Sequence, residues 1–121
     1  MDYGWQTVLK QVPAKSNSYR IITLGGHASL AKAQALKAFE SSFYMQCGKY
    51  RNLMIDKYFE FHCKVFYPSM RSDVDNALKI LLDSCQIAKV VKNDNLCVKV
   101  VAEKFVDKIN PRVEFKIVTI E

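Results

Sequence analysis

No stretch of this 121-residue chain approaches the ~20 consecutive apolar residues that a membrane-spanning helix needs. The N-terminus also lacks a cationic flank followed by an apolar run, so no secretory leader is expected. Histidine is scarce, with only His27 and His62, and the four cysteines (Cys47, Cys63, Cys85, Cys97) form no C-x-x-C pair and have no neighbouring histidine spacing. That excludes a zinc site and leaves the cysteines as reduced core thiols of a soluble, cytoplasmic protein. There is no internal repeat, low-complexity segment or linker, so residues 1–121 are expected to form a single domain.

What the chain does have is apolar content, at half of its residues, enough to bury a core without disulfides or metal staples. It carries 18 Lys and Arg against 12 Asp and Glu, a net charge of +6, which favours an anionic partner such as nucleic acid. The acids are unevenly placed. Four of them, Asp73, Asp75, Asp83 and Asp94, fall within 22 residues. Carboxylates gathered in this way repel one another unless a cation compensates them.

The pattern of apolar residues predicts an α+β fold, a small mixed β-sheet with two helices in the order β-β-α-β-α-β-β. A strand within Tyr3 to Val12 ends at Pro13, and Tyr19 to Leu24 is a second, rich in β-branched residues and stopped by Gly25-Gly26. A first helix is expected from about Ser29 to Cys47, with Leu36, Phe39 and Phe43 on one stripe. Lys57 to Tyr67 alternates cleanly, placing Phe59, Phe61, Cys63, Val65 and Tyr67 on one face of a central strand. A second helix runs from about Val74 to Ile87, with Ser72 as its candidate cap and Asp73 and Asp75 in its first turn. Asn95 to Lys104 and Arg112 to Ile120 complete the sheet, joined at Asn110-Pro111.

Two carboxylates at i and i+2, where a strand end passes into a helix start, can converge on one point, and magnesium takes one or two carboxylates with waters and a substrate phosphate. Asp73 and Asp75 are such a pair. Asp75, Lys79 and Asp83 then follow at four-residue steps. Lys79 is either the middle of an i,i+4 salt-bridge ladder or a cation placed to neutralise charge on a phosphodiester; spacing alone leaves both open. Asp94 is either a turn former between Asn93 and Asn95 or a third carboxylate brought to the pair by adjacent strand ends. Three carboxylates at one end of a sheet in a basic chain would make a metal-assisted hydrolase of nucleic acid.

The run Tyr67-Pro68, then Arg71-Ser72-Asp73-Val74-Asp75-Asn76, Lys79, Leu82-Asp83 and Asn93-Asp94-Asn95, resembles the signature of the RusA family of Holliday junction resolvases. Val12-Pro13-Ala14-Lys15-Ser16-Asn17-Ser18-Tyr19-Arg20 is similar to that family's Pro-x-x-Ser/Lys-Asn-x-Tyr opening. The resemblance implies a homodimeric endodeoxyribonuclease, often phage- or prophage-encoded, that uses magnesium or manganese to nick four-way DNA junctions symmetrically through metal-activated water. Asp73, Asp75 and Asp94 match its acidic, metal-holding triad and Lys79 its catalytic lysine. Asn76 matches a residue that orients the carboxylates, and Asp83 a recurring acid whose role is not separable from helix pairing. One departure is Asn93-Asp94, where the family often has Asp-Asp.

Phosphate contacts are expected from Lys15, Arg20, Arg71, Lys89 and Lys92, with Asn17 and Tyr19 on the same DNA-facing edge. Tyr19 or Tyr67 is a candidate for stacking on an unpaired base. The first helix and the aromatics of the central strand are the expected dimer surfaces. Two alternatives stand beside junction resolution: a flap- or fork-cleaving nuclease, and a non-catalytic junction-binding protein.

Overall fold

The computed structural model describes residues 1–14 and 17–120, without the side chain of Leu24. Its strands are β1 (Gln6–Leu9), β2 (Tyr19–Leu24), β3 (His27–Lys32), β4 (Phe59–Tyr67), β5 (Cys97–Val106) and β6 (Arg112–Thr119), and its helices are α1 (Gln34–Gln46) and α2 (Val74–Ile87). This is the expected α+β class, a mixed sheet and two helices, with one more strand than the sequence pattern suggested. The added strand is β3. The sequence pattern places Ser29–Lys32 in the first helix, because that stretch is rich in good helix formers, but Gly25 and Gly26, both at positive φ, close a tight β2–β3 hairpin. Helix α1 therefore begins at Gln34, and its buried residues are Leu36, Phe39 and Phe43, the expected stripe.

The main sheet has the order β1-β6-β4-β5, in which β4 pairs antiparallel with β6 and parallel with β5. Alternation along β4 is strict: Phe59, Phe61, Cys63, Val65 and Tyr67 are buried, and the residues between them are half-buried on the open face. Strand β6 buries Val113, Phe115, Ile117 and Thr119 on the same inner face. Phe115 is the centre of this layer, stacked on Phe43 of α1 at 5.3 Å and on Phe61 at 6.0 Å, with the Tyr50 ring tilted against it at 4.9 Å. The Tyr50 hydroxyl donates to the Gly4 carbonyl and accepts from the Ile117 amide, so this buried polar group is satisfied at both sides. Helix α2 contributes Ala77, Ile80, Leu81 and Cys85 to the same core.

Two features of this arrangement place the candidate chemistry. Helix α2 starts just beyond the end of β4 and runs back, so its first turn lies at the β4 C-terminal end and its last turn at the β4 N-terminal end. Strand β5, being parallel to β4, begins beside Phe59, since Cys97 is the register partner of Phe59 and Val106 that of Tyr67. All the cysteines are free thiols, three of them buried. Among the described residues no helix is long and apolar enough to cross a membrane.

Candidate active site

Pro68 ends β4, and the loop that follows is tied down by a residue far along the chain. The Lys104 ammonium donates to the carbonyls of Met70 at 3.2 Å and Ser72 at 2.9 Å. The buried Tyr67 hydroxyl donates to the Asp73 carbonyl at 3.4 Å. Burial, with the nearby Asp73 and Asp75 charges adding to it, pushes the Tyr67 hydroxyl up to about 12, so it stays a donor. Tyr67 is wholly buried and does not offer a face for base stacking.

Asp73 is itself the N-cap residue of α2, in extended conformation, where Ser72 was the expected cap. Its side chain makes no capping hydrogen bond, so the carboxylate stands exposed at the positive end of the helix dipole, with no hydrogen-bond partner among the described residues. Asp75 lies in the first turn and is also exposed; its Oδ1 accepts from the Asn76 amide at 3.0 Å. The Asn76 side chain donates to the Pro13 carbonyl at 3.3 Å, which fixes the Val12–Ala14 segment against α2. These residues form one cleft of about 490 Å³, lined by Ala14, Tyr19, Arg71, Ser72, Asp73, Asp75, Asn76, Lys79 and Ile80.

Among the described residues Lys79 forms no ion pair with Asp75 or Asp83; its ammonium lies 5.7 Å from the centre of the Tyr19 ring. The salt-bridge ladder allowed by the spacing is therefore absent. A cation over an aromatic face beside two exposed carboxylates is available to an anionic ligand.

Asp94 lies elsewhere in the chain. It opens a short 3-10 turn, Asp94–Leu96, and is anchored at the far end of α2, where its amide donates to Gln86 Oε1 at 2.9 Å. From Asp75 to Gln86 the helix rises roughly 17 Å at 1.5 Å per residue. The expectation that adjacent strand ends join Asp94 to the pair is corrected by the parallel pairing of β4 and β5, which puts the start of β5 beside the start of β4. Among the described residues no three His, Cys, Asp or Glu side chains are grouped to hold a metal ion. Asp94 instead shares a smaller cleft with Lys32, Asp83, Gln86 and Ile87. Burial first, and then the charge of Asp94, raises the Asp83 carboxyl, against the lowering effect of Lys79 and Lys32.

The residue types at this first cleft agree with the comparison to known families. The family model for endodeoxyribonuclease RusA matches residues 12–118. The chain belongs to the RusA family. Membership carries Holliday junction resolvase endonuclease activity on branched DNA, and the matched span includes both the Val12–Arg20 and the Tyr67–Asn95 motifs. No curated protein matches the chain.

The expected DNA contacts of this RusA-family chain divide into two groups. Tyr19 and Arg71 line the first cleft, with the exposed Asn17 and Arg20 in the same segment as Tyr19. Lys89 and Lys92 are exposed beyond the last turn of α2, at the end where Asp94 lies. Lys15 lies outside the described residues. His27 is exposed on β3 and His62 pairs with Glu60 at 3.0 Å on the open face; neither lines the cleft. Sequence reasoning missed Lys104 as the loop tether and Lys32 as a neighbour of Asp83 and Asp94, because neither stands in a motif and both act through contacts long in sequence.

Proposed function

We propose that this protein is a structure-selective endodeoxyribonuclease that resolves four-way junctions by paired symmetric nicks, using magnesium or manganese held at Asp73 and Asp75. The observation that carries the reading is the pair of exposed carboxylates at the α2 N-terminus, in one open cleft with Lys79 and Arg71. Their donors are all carboxylate oxygens, the chemistry a hard divalent cation prefers, and two such ligands leave room for water and a phosphate. When bound, the metal supplies Lewis-acid activation of the phosphodiester and a water of lowered pKa.

The chain's own groups do the rest. Arg71, exposed at the cleft edge, receives a phosphate and fixes the strand. Lys79 faces the charge that builds on the phosphoryl oxygens as the bond breaks. Asn76 and Lys104 hold Asp75 and the preceding loop in place through Pro13, Met70 and Ser72. Within one chain Asp94 is out of reach of this cleft, so a role for it at the same metal requires a second subunit. A two-fold dimer also suits a substrate with two-fold symmetry.

The separation of Asp94 gives some weight to a second reading, a junction-binding protein whose two aspartates hold a structural ion. One assay separates the two. Purified protein is incubated with a synthetic four-way junction, a flap and a duplex, with and without magnesium or manganese, beside Asp73→Asn and Asp94→Asn. Paired nicks in the junction that need the metal and vanish in Asp73→Asn are expected. Binding without cleavage of any substrate sinks the nuclease reading, and strongest cutting on the flap sinks the resolvase assignment.

A further inference from the structure

The two edges of the main sheet are protected very differently. Strand β1 is a four-residue edge, too short to recruit a partner strand, whereas β5 is ten residues long, has no proline, and among the described residues pairs only with β4. Its single irregularity is a bulge at the start, between the Phe59 and Glu60 partners, which leaves Lys99 to Val106 as a regular ladder with an unpaired outer side. Long, regular open edges are templates for a further strand, and soluble proteins usually blunt them. Alongside Lys99 and Glu103, this one exposes Val98, Val100, Val101, Phe105 and Val106, each from 37% to 54% accessible.

We propose that β5 is the dimer interface, pairing antiparallel with β5 of a second copy about a two-fold axis through Val101, so that two four-stranded sheets become one continuous sheet. The register follows from charge. On the open face β5 presents Lys99, Val101, Glu103 and Phe105, the register partners of Glu60, His62, Lys64 and Phe66. With Val101 opposite the partner's Val101, Lys99 faces the partner's Glu103, and the row across both sheets reads Glu60, Lys99, the partner's Glu103, the partner's Lys64. Its signs alternate at every step.

No neighbouring register achieves this. A shift of one residue sets inward-facing side chains against outward-facing ones. Moving the axis to Lys99 or to Glu103 puts like charges opposite each other, and moving it to Val100 or Ala102 leaves both Lys99 and Glu103 opposite uncharged residues. On the inner face the chosen register sets Val100 against the partner's Ala102. Central strand β4 is flanked by β5 and β6 and has no free edge, so within the main sheet β5 is the long open one.

The proposal rests on the two-subunit reading above, and its test does not depend on cleavage. In a Cys97→Ser background, Val101→Cys is exposed to a mild oxidant, with Met45→Cys on exposed α1 as control. Directly opposed residues of antiparallel strands lie within disulfide reach. Rapid cross-linking at Val101→Cys alone is expected. Lys99→Glu and Glu103→Lys, each judged folded by circular dichroism, should each weaken dimerisation at least tenfold in sedimentation, and an equimolar mixture of the two should recover the dimer. A wild type that sediments as a monomer at about 100 µM, a dimer that does not cross-link at Val101→Cys, or a mixture that stays monomeric overturns the proposal. Nuclease activity scored in parallel tells its failure from that of the functional reading, because a dimer built elsewhere would still cut.

Discussion

The distinction between a carboxylate that holds up a helix and one that is free for a ligand is decided at Asp73 by a single missing hydrogen bond. An aspartate at an N-cap ordinarily accepts from the amides of the first turn, which stabilises the helix by about 1 kcal/mol. Here the side chain makes no such bond, so that stabilisation is forgone and the oxygens remain exposed beside Asp75. Lys79 makes a similar exchange, lying over Tyr19 without an ion pair to either aspartate one turn away on its ridge. If it acts only on charge developing during the reaction, Lys79→Ala should lower the junction-cleavage rate by about 10²–10³-fold, the scale of losing one electrostatic stabiliser. Stability should hardly change, since no native ion pair is broken. A single-turnover assay and a thermal melt check both halves; a large loss of melting temperature with little loss of rate would restore the structural role for Lys79.

At the scale of elements, the chain's outline was legible where one face is buried and illegible where hydrogen bonding between distant strands decides. Strands β4 and β6 and the buried stripe of α1 follow from alternation and three-to-four spacing, because those patterns are imposed by the core itself. Strand β3 was not legible: it is exposed along most of its length and buries no stripe, so only the Gly25-Gly26 turn marks it. The direction of β5 was equally hidden, since alternation looks the same whichever way a strand runs. That is why the sequence places Asp73 and Asp75 together while it leaves Asp94 open between a turn former and a third carboxylate of the same site.

The parallel pairing that separates Asp94 is also what brings Lys104, late in β5, to the loop before α2, where it holds two carbonyls. Lys104→Met should leave the fold intact and loosen the placement of Asp73. The expected result is a junction-cleavage rate reduced by about tenfold, with a raised metal concentration required for half-maximal activity, as found when supporting contacts of a metal site are removed. An unchanged metal dependence would show that the tether does not position the site.

For the molecule as a whole, stability and charge pull in opposite directions as the solution becomes alkaline. The core holds ionisable groups in neutral form: burial pushes Cys63 from 9.0 up to about 12, and Tyr50 and Tyr67 from 10.0 up to about 12. For such acids the folded state keeps its proton after the unfolded chain has lost it. Their contribution to stability is therefore complete below about pH 9 and falls as the pH rises through 9–12. A tenfold difference in acidity between the folded and unfolded chain is worth about 1.4 kcal/mol, so by pH 11 the fold should have lost on the order of a few kcal/mol. The melting temperature, followed by circular dichroism at pH 8, 9, 10 and 11, should be level to pH 9 and then fall with increasing slope. The order of onset is diagnostic. Cysteine begins to titrate in the unfolded chain about one pH unit below tyrosine, so Cys63→Ala should make the fall between pH 9 and 10 shallower, with buried Cys85 still contributing to it, even though its cavity lowers the melting temperature throughout. A wild-type profile that stays level to pH 11 would mean that these groups meet water in the folded protein, and that the core around Phe115 is more open than its packing indicates.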